Sequence, residues 1–188
     1  MIIFYNYLYI NYIYFFNMKI SLAQNRLNKE LRDYQKKSDT DRISLYLKNK
    51  NNIYLWEAKI KGPPDTPYEN GTFYVNIKVP QDYPINPPKC NFITKIFHPN
   101  IEFNTGEICF ELLKDKWTPQ WSLESVCVAL FNLLSNPNAD SPLNCDCGNL
   151  IRNNDFLGYT TLAKMYTIEY ATDLILPKKI KKKEEETI

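Results

Sequence analysis

Residues 54–88 read YLWEAKIKGPPDTPYENGTFYVNIKVPQDYPINPP, and two period-two runs inside this stretch decide the fold class. Tyr54, Trp56, Ala58 and Ile60 share one side of the first run, with Glu57 and Lys59 on the other. Phe73, Val75, Ile77 and Val79 repeat the alternation against Tyr74, Asn76 and Lys78. Successive side chains of a strand point to opposite faces, so each run predicts a strand with one buried face and one wet face. Gly62, Pro63, Pro64 and the Asn70-Gly71 pair supply the turn chemistry between them, which predicts an antiparallel meander. Weaker strand patterns at 42–47 and 89–94 bring the count to four. Pro80, Pro84, Pro87 and Pro88 cannot donate ladder hydrogen bonds. Segment 79–88 is therefore expected to leave the sheet as a rigid, extended loop, serving as an edge stop or as a recognition surface.

Directly downstream, residues 98–119 read HPNIEFNTGEICFELLKDKWTP and put Cys109 in a polar loop between a strand region and a helix. A thiol in such a place is available as a nucleophile. From Ser122 onward, Leu123, Val126, Cys127, Leu130, Phe131 and Leu134 follow helical spacing, so Cys127 reads as core; Asn136, Pro137 and Asn138 end that helix and a loop through Asp146 follows. A last helical run over 155–172 offers Tyr159, Ala163, Tyr166 and Tyr170 on one side. Upstream, residues 21–37 read SLAQNRLNKELRDYQKK, with Ser21 and Gln24 in a capping-box pattern. Ile20, Ala23, Leu27, Leu31 and Tyr34 form an apolar stripe, and Lys29, Arg32 and Lys36 lie opposite.

The chain of 188 residues, 44% hydrophobic, supports one domain with a single core. Its net charge of +2 is too balanced to imply nucleic acid, which needs clustered cations on one face. Five cysteines at irregular spacing make no disulfide framework and fit a reducing, intracellular setting. Cys145 and Cys147 with the sole histidine, His98, lack the second ligand pair that zinc takes, so no metal site is expected. Residues 1–18 form an uncharged Tyr/Ile/Asn-rich extension, read as disordered, as lying upstream of a start at Met18, or as a targeting segment or membrane tether. A span takes roughly 20 mostly apolar residues, and Asn6, Asn11 and Asn17 interrupt this one; no basic residue leads it as in a secretory signal. The catalytic core is expected over 19–175, with 176–188 as a charged disordered tail.

Taken in order, PPDTPYENGTFYVNIKVPQDYPINPPK, then HPNI, Cys109 eleven residues after His98, and Trp117 eight residues after Cys109 with Thr118-Pro119 behind it, resemble a ubiquitin-conjugating enzyme. The resemblance runs from about Arg26 to Ala171 and is specific, because several motifs agree in order and spacing. NTGEICFELLKDKWTP, SLESVC, DSPLNCDCGNLIRNND and MYTIEYA are similar to the peroxisomal, receptor-modifying branch. The resemblance implies an α+β fold, a four-stranded antiparallel sheet with an N-terminal helix, a central helix and C-terminal helices. It also implies that Cys109 takes ubiquitin from an activating enzyme as a thioester and transfers it to a substrate lysine or cysteine with a RING-type ligase. ATP is then consumed upstream, and no cofactor is expected.

Roles follow position by position from the same resemblance. Asn100 matches an asparagine that stabilises the oxyanion or fixes the neighbouring loop. Ser141, with Asp140 beside it, stands where many members carry an aspartate at the mouth of the site. Serine is a weaker base, which favours a partner-assisted lysine or a low-pKa receptor thiol as acceptor. Arg26, Lys29 and Arg32 match the activating-enzyme docking face; Ile85, Pro119 and Gln120 match the ligase loops, with Ile85 replacing a frequent phenylalanine. His98, Pro99, Tyr83, Pro84, Pro87, Pro88 and Trp117 match scaffold positions. The implied partners are ubiquitin, the activating enzyme, the ligase and a membrane-bound recruiting protein. A monomer is expected, in the cytoplasm or at the cytosolic face of an organelle membrane. Two other readings share the fold: conjugation of another ubiquitin-like modifier, and a noncatalytic binding module, which normally lacks the cysteine. A cysteine hydrolase would need a histidine base, and His98 sits before a proline in a motif that already accounts for it.

Overall fold

The computed structural model describes residues 22–37 and 42–172. The extension 1–18, the cap expected at Ser21 and the tail 176–188 lie outside the described residues. Helix α1 covers 22–35. It is followed by strands β1 (Ile43–Leu47), β2 (Leu55–Lys61), β3 (Thr72–Lys78) and β4 (Lys89–Phe92), then a short 3-10 turn (Glu111–Leu113). Helices α2 (Leu123–Ser135), α3 (Cys145–Arg152) and α4 (Phe156–Ala171) complete the described residues.

The four strands form one antiparallel sheet in the order β1-β2-β3-β4. Trp56 pairs with Ile77, Ala58 with Val75 and Ile60 with Phe73, so the apolar residues of both runs stack on one face. All six are fully buried. Helix α2 packs on β1 and β2 from that side, burying Leu123, Val126, Cys127, Leu130, Leu133 and Leu134. Ala23 and Leu27 of α1 join the same core. The turn between β2 and β3 is closed by Gly62 donating its N–H to Gly71 O at 2.9 Å. Only glycine fits at 62, because a Cβ there would lie 1.6 Å from Tyr68 O.

Two expectations are corrected. Segment 79–88 is not extended: Tyr83 N–H bonds Pro80 O and Ile85 N–H bonds Asp82 O, so the prolines end the ladder and the chain folds back in turns. Residues 145–152, expected as loop and unassigned chain, form α3. Asn144 caps that helix by accepting from Cys147 N–H at 3.1 Å. On α4, Tyr166 is half-buried and Tyr170 exposed, and the buried stripe is Tyr159, Ala163, Thr167 and Ala171. Thr167 can enter the core because its hydroxyl donates to Ala163 O at 2.8 Å.

Candidate active site

Cys109 is presented by a tight reversal of the chain. Ile101 and Ile108 form an antiparallel bridge, Glu102 N–H bonds Glu107 O and Gly106 N–H bonds Glu102 O, both at 2.9 Å. The Glu102 carboxylate closes the turn by accepting from the backbone N–H groups of Asn104 and Thr105. These bonds favour its ionised form and hold the carboxyl below its usual range. Gly106 has φ +68° and lies hard against β4, where a Cβ would meet Phe92 O at 1.9 Å. The chain then emerges at Cys109, half-buried and free, and its N–H donates to Asn100 O at 2.8 Å. An open groove of about 750 Å³, lined by Val79, Pro87, Cys90, Ile108 and Leu113 among others, runs beside this segment.

The residues ahead of the cysteine hold the site together. Asn100 N–H donates to His98 Nδ1 at 3.1 Å, so Nδ1 is the acceptor and the ring proton sits on Nε2, donating to Leu133 O at 3.1 Å. His98 is fully buried, and desolvation lowers its pKa to about 4. Both ring nitrogens are engaged and the imidazole is uncharged at neutral pH. It has no atom left to activate a thiol, which closes the hydrolase reading.

The Asn100 side chain makes two bonds to the backbone of residue 138: Nδ2 donates to Asn138 O at 2.8 Å, and Oδ1 accepts from Asn138 N–H at 2.9 Å. Pro99 O accepts from Leu143 N–H at 2.8 Å and Asn144 N–H at 3.2 Å. Four bonds thus stitch the 136–144 loop to the histidine motif. Asp140 and Ser141 lie exposed on that loop, and Asp140 N–H is held by Asn138 Oδ1 at 2.8 Å.

The residues expected to contact a ligase and those expected to dock the activating enzyme are joined through Arg26 and the Pro119 carbonyl. Ile85, Pro119 and Gln120 are exposed, while Tyr83 and Pro88 are buried beneath them. Trp117 Nε1 donates to Pro84 O at 2.9 Å, joining the two loops. On α1, Lys29 and Arg32 are exposed. Arg26 is not a free cation: Nε bonds Glu30 Oε1 at 2.6 Å, Nη1 bonds Pro119 O at 3.1 Å and Nη2 bonds Trp121 O at 3.0 Å. Glu30 also accepts from the Tyr83 hydroxyl at 2.7 Å and from Leu123 N–H at 2.8 Å.

The sequence did not single out Glu30 or the backbone of residue 138. The Arg26–Glu30 spacing of four was a visible signal for the first; the second carries no sequence signal, since it acts through its main chain. Among the other thiols, Cys127 and Cys147 are buried as core, with burial pushing Cys147 up to about 12. Among the described residues, no cluster of three or more His, Cys, Asp or Glu is placed to hold a metal ion. No described helix is long and apolar enough to cross a membrane.

A four-stranded meander backed by helices, presenting one cysteine beside a buried histidine-proline-asparagine motif, is the arrangement of a thioester carrier. The ubiquitin-conjugating enzyme family model matches residues 26–167. The ubiquitin-conjugating enzyme E2 pex4 of Dictyostelium discoideum is 56% identical over 145 residues, 77% of this chain and 97% of the relative. Protein PEROXIN-4 of Arabidopsis thaliana is 49% identical over 145 residues, 77% of this chain and 92% of the relative. Among solved structures, H. polymorpha ubiquitin-conjugating enzyme Pex4p in complex with the soluble domain of Pex22p matches with TM-score 0.74 and 31% identity, over 80% of this chain and 98% of that one. This chain therefore belongs to the ubiquitin-conjugating enzyme family, transferases that carry their cargo as a thioester, and its likeness is to the peroxisomal branch.

Proposed function

We propose that Cys109 is the thioester-bearing residue and that the protein serves a membrane-recruited, receptor-modifying pathway. The Cys109 thiolate attacks the ubiquitin carbonyl on the activating enzyme, a new thioester forms and the activating enzyme's thiol leaves. An acceptor amine or thiol then attacks the same carbonyl, an amide or second thioester forms, and the Cys109 thiol is released. Asn100 fixes the 136–144 loop over the site through its two bonds to residue 138. Lys29 and Arg32 meet the activating enzyme, with Arg26 bracing the helix that carries them. Ile85, Pro119 and Gln120 meet a RING-type ligase. Ser141 at the mouth suits an acceptor that needs little help losing its proton, such as a receptor cysteine, while lysine remains open with a ligase.

The observation that carries this reading is the half-buried Cys109, its N–H tied to Asn100 O and its neighbouring loop stitched to the same residue. A relative of this chain was solved in complex with the soluble domain of Pex22p, which supports recruitment by a membrane-bound partner at the cytosolic face of an organelle. The purified chain, given activating enzyme, ubiquitin and ATP, should gain one reducing-agent-sensitive ubiquitin that Cys109→Ala abolishes. Loading that survives Cys109→Ala, or loading only with another modifier and its own activating enzyme, would overturn it.

A further inference from the structure

Glu30 is the meeting point of three parts of the protein, and Arg26 links it to a fourth. Its carboxylate accepts from Arg26 Nε on α1, from the Tyr83 hydroxyl on the 79–88 segment and from Leu123 N–H at the start of α2. Arg26 passes on to the carbonyls of Pro119 and Trp121, and the Tyr83 hydroxyl also lies 3.4 Å from Trp121 O. The Glu30 side chain is 12% exposed. Burial and the neighbouring carboxylate push the Tyr83 phenol up, so it stays a protonated donor. Leu123 N–H is one of the first-turn groups of α2 with no intrahelical acceptor, and a negative charge there is favoured by the helix dipole.

Three donors converge on two oxygens, and that match needs a carboxylate. An amide of the same shape offers one acceptor and two donors, so at least one donor would face another. The groups that would come loose tie Tyr83, two residues before Ile85, and the carbonyls of Pro119 and Trp121, and they act beside the Trp117–Pro84 bond that also joins the two loops. Among the described residues, none of their hydrogen bonds reaches Cys109, Asn100 or the 136–144 loop.

We propose that Glu30 is a positioning residue that sets the geometry of the ligase-gripping surface without taking part in the chemistry. The proposal rests on reading Ile85, Pro119 and Gln120 as ligase contacts. The test uses the full chain loaded with ubiquitin to completion, so that docking of the activating enzyme does not enter, and compares Glu30→Gln with the parent. The concentration of a RING-type ligase domain giving half-maximal discharge should rise roughly tenfold. The rate at saturating ligase and the discharge to free lysine without ligase should both stay within about twofold. Amide exchange should quicken at Ile85, Trp117 and Trp121 and not at Ile101 or Ile108.

An unchanged half-maximal concentration, or ligase-free discharge falling in parallel, would overturn the proposal. If Glu30→Gln does not fold, Tyr83→Phe removes a single donor from the same carboxylate and decides by the same readouts, with roughly a threefold rise expected. A parent chain that never loads ubiquitin at Cys109 refutes the conjugating reading instead, and the exchange pattern then tests Glu30 by itself.

Discussion

His98 is the residue whose environment makes the sharpest claim about pH. It is fully buried and neutral, with pKa lowered to about 4 from 6.5 by desolvation. Between those values the unfolded chain binds a proton that the folded chain does not, so stability rises with pH across the window. The contribution of neutral His98 is complete above about pH 6.5 and is lost as pH falls towards 4. Thermal or denaturant unfolding of the parent and His98→Gln should show the stability gap between them shrinking by about 3 kcal/mol from pH 6.5 to 4. A gap that stays constant would mean the imidazole titrates normally. That His98, Asn100 and Cys109 lie together was legible through the spacing of one motif. Whether Asn100 steadies an oxyanion or a loop was not, because those roles differ only in which atoms lie within hydrogen-bond reach, and that is a property of residue 138, 38 positions away.

At the scale of elements, the reversal at 101–108 depends on Gly106. Its φ of +68° is a region that side chains rarely adopt, and its Cβ position is filled by Phe92 O at 1.9 Å. Gly106→Ala should destabilise the protein by at least about 2 kcal/mol, from backbone strain and the forced separation of the turn from β4. The same change should slow ubiquitin loading, because the bond from Phe92 N–H to Gly106 O, 2.9 Å, anchors the segment that leads to Cys109. Urea unfolding and a loading time course measure the two effects. Strands β2 and β3 were readable residue by residue, since alternation reports burial directly. Helix α3 was not: CDCGNLIR is only eight residues long and has a glycine in its interior. Gly148 is there because Pro142 packs so closely that a Cβ would meet it at 2.6 Å, so tertiary packing overrides helix propensity. The prolines of 79–88 announced the end of the ladder but not the turns that replace it, whose bonds join Tyr83 to Pro80 and Ile85 to Asp82.

At the scale of the whole molecule, the loop after α2 is drawn across the histidine motif, and on the proposed reading that assembly gives position 141 a say in the chemistry. Ser141 follows Asp140 on a loop held at two anchors, Asn138 on Asn100 and Leu143 on Pro99. On the proposed reading, a side chain between these anchors stands at the mouth of the site. A carboxylate fixed there would orient an incoming ammonium and accept its proton, while a hydroxyl does neither well at neutral pH. A thiol acceptor reacts as its thiolate and gains nothing from a base at that point. Ser141→Asp should therefore speed discharge of the Cys109 thioester to free lysine, by up to roughly tenfold. Discharge to a free thiol should be unchanged, because the anchors and the cysteine are untouched. Single-turnover discharge of purified thioester, with each acceptor in turn and no ligase, gives both rates. Equal acceleration with lysine and thiol would mean the substitution moved the loop, and no acceleration with lysine would mean that position 141 does not face the incoming acceptor.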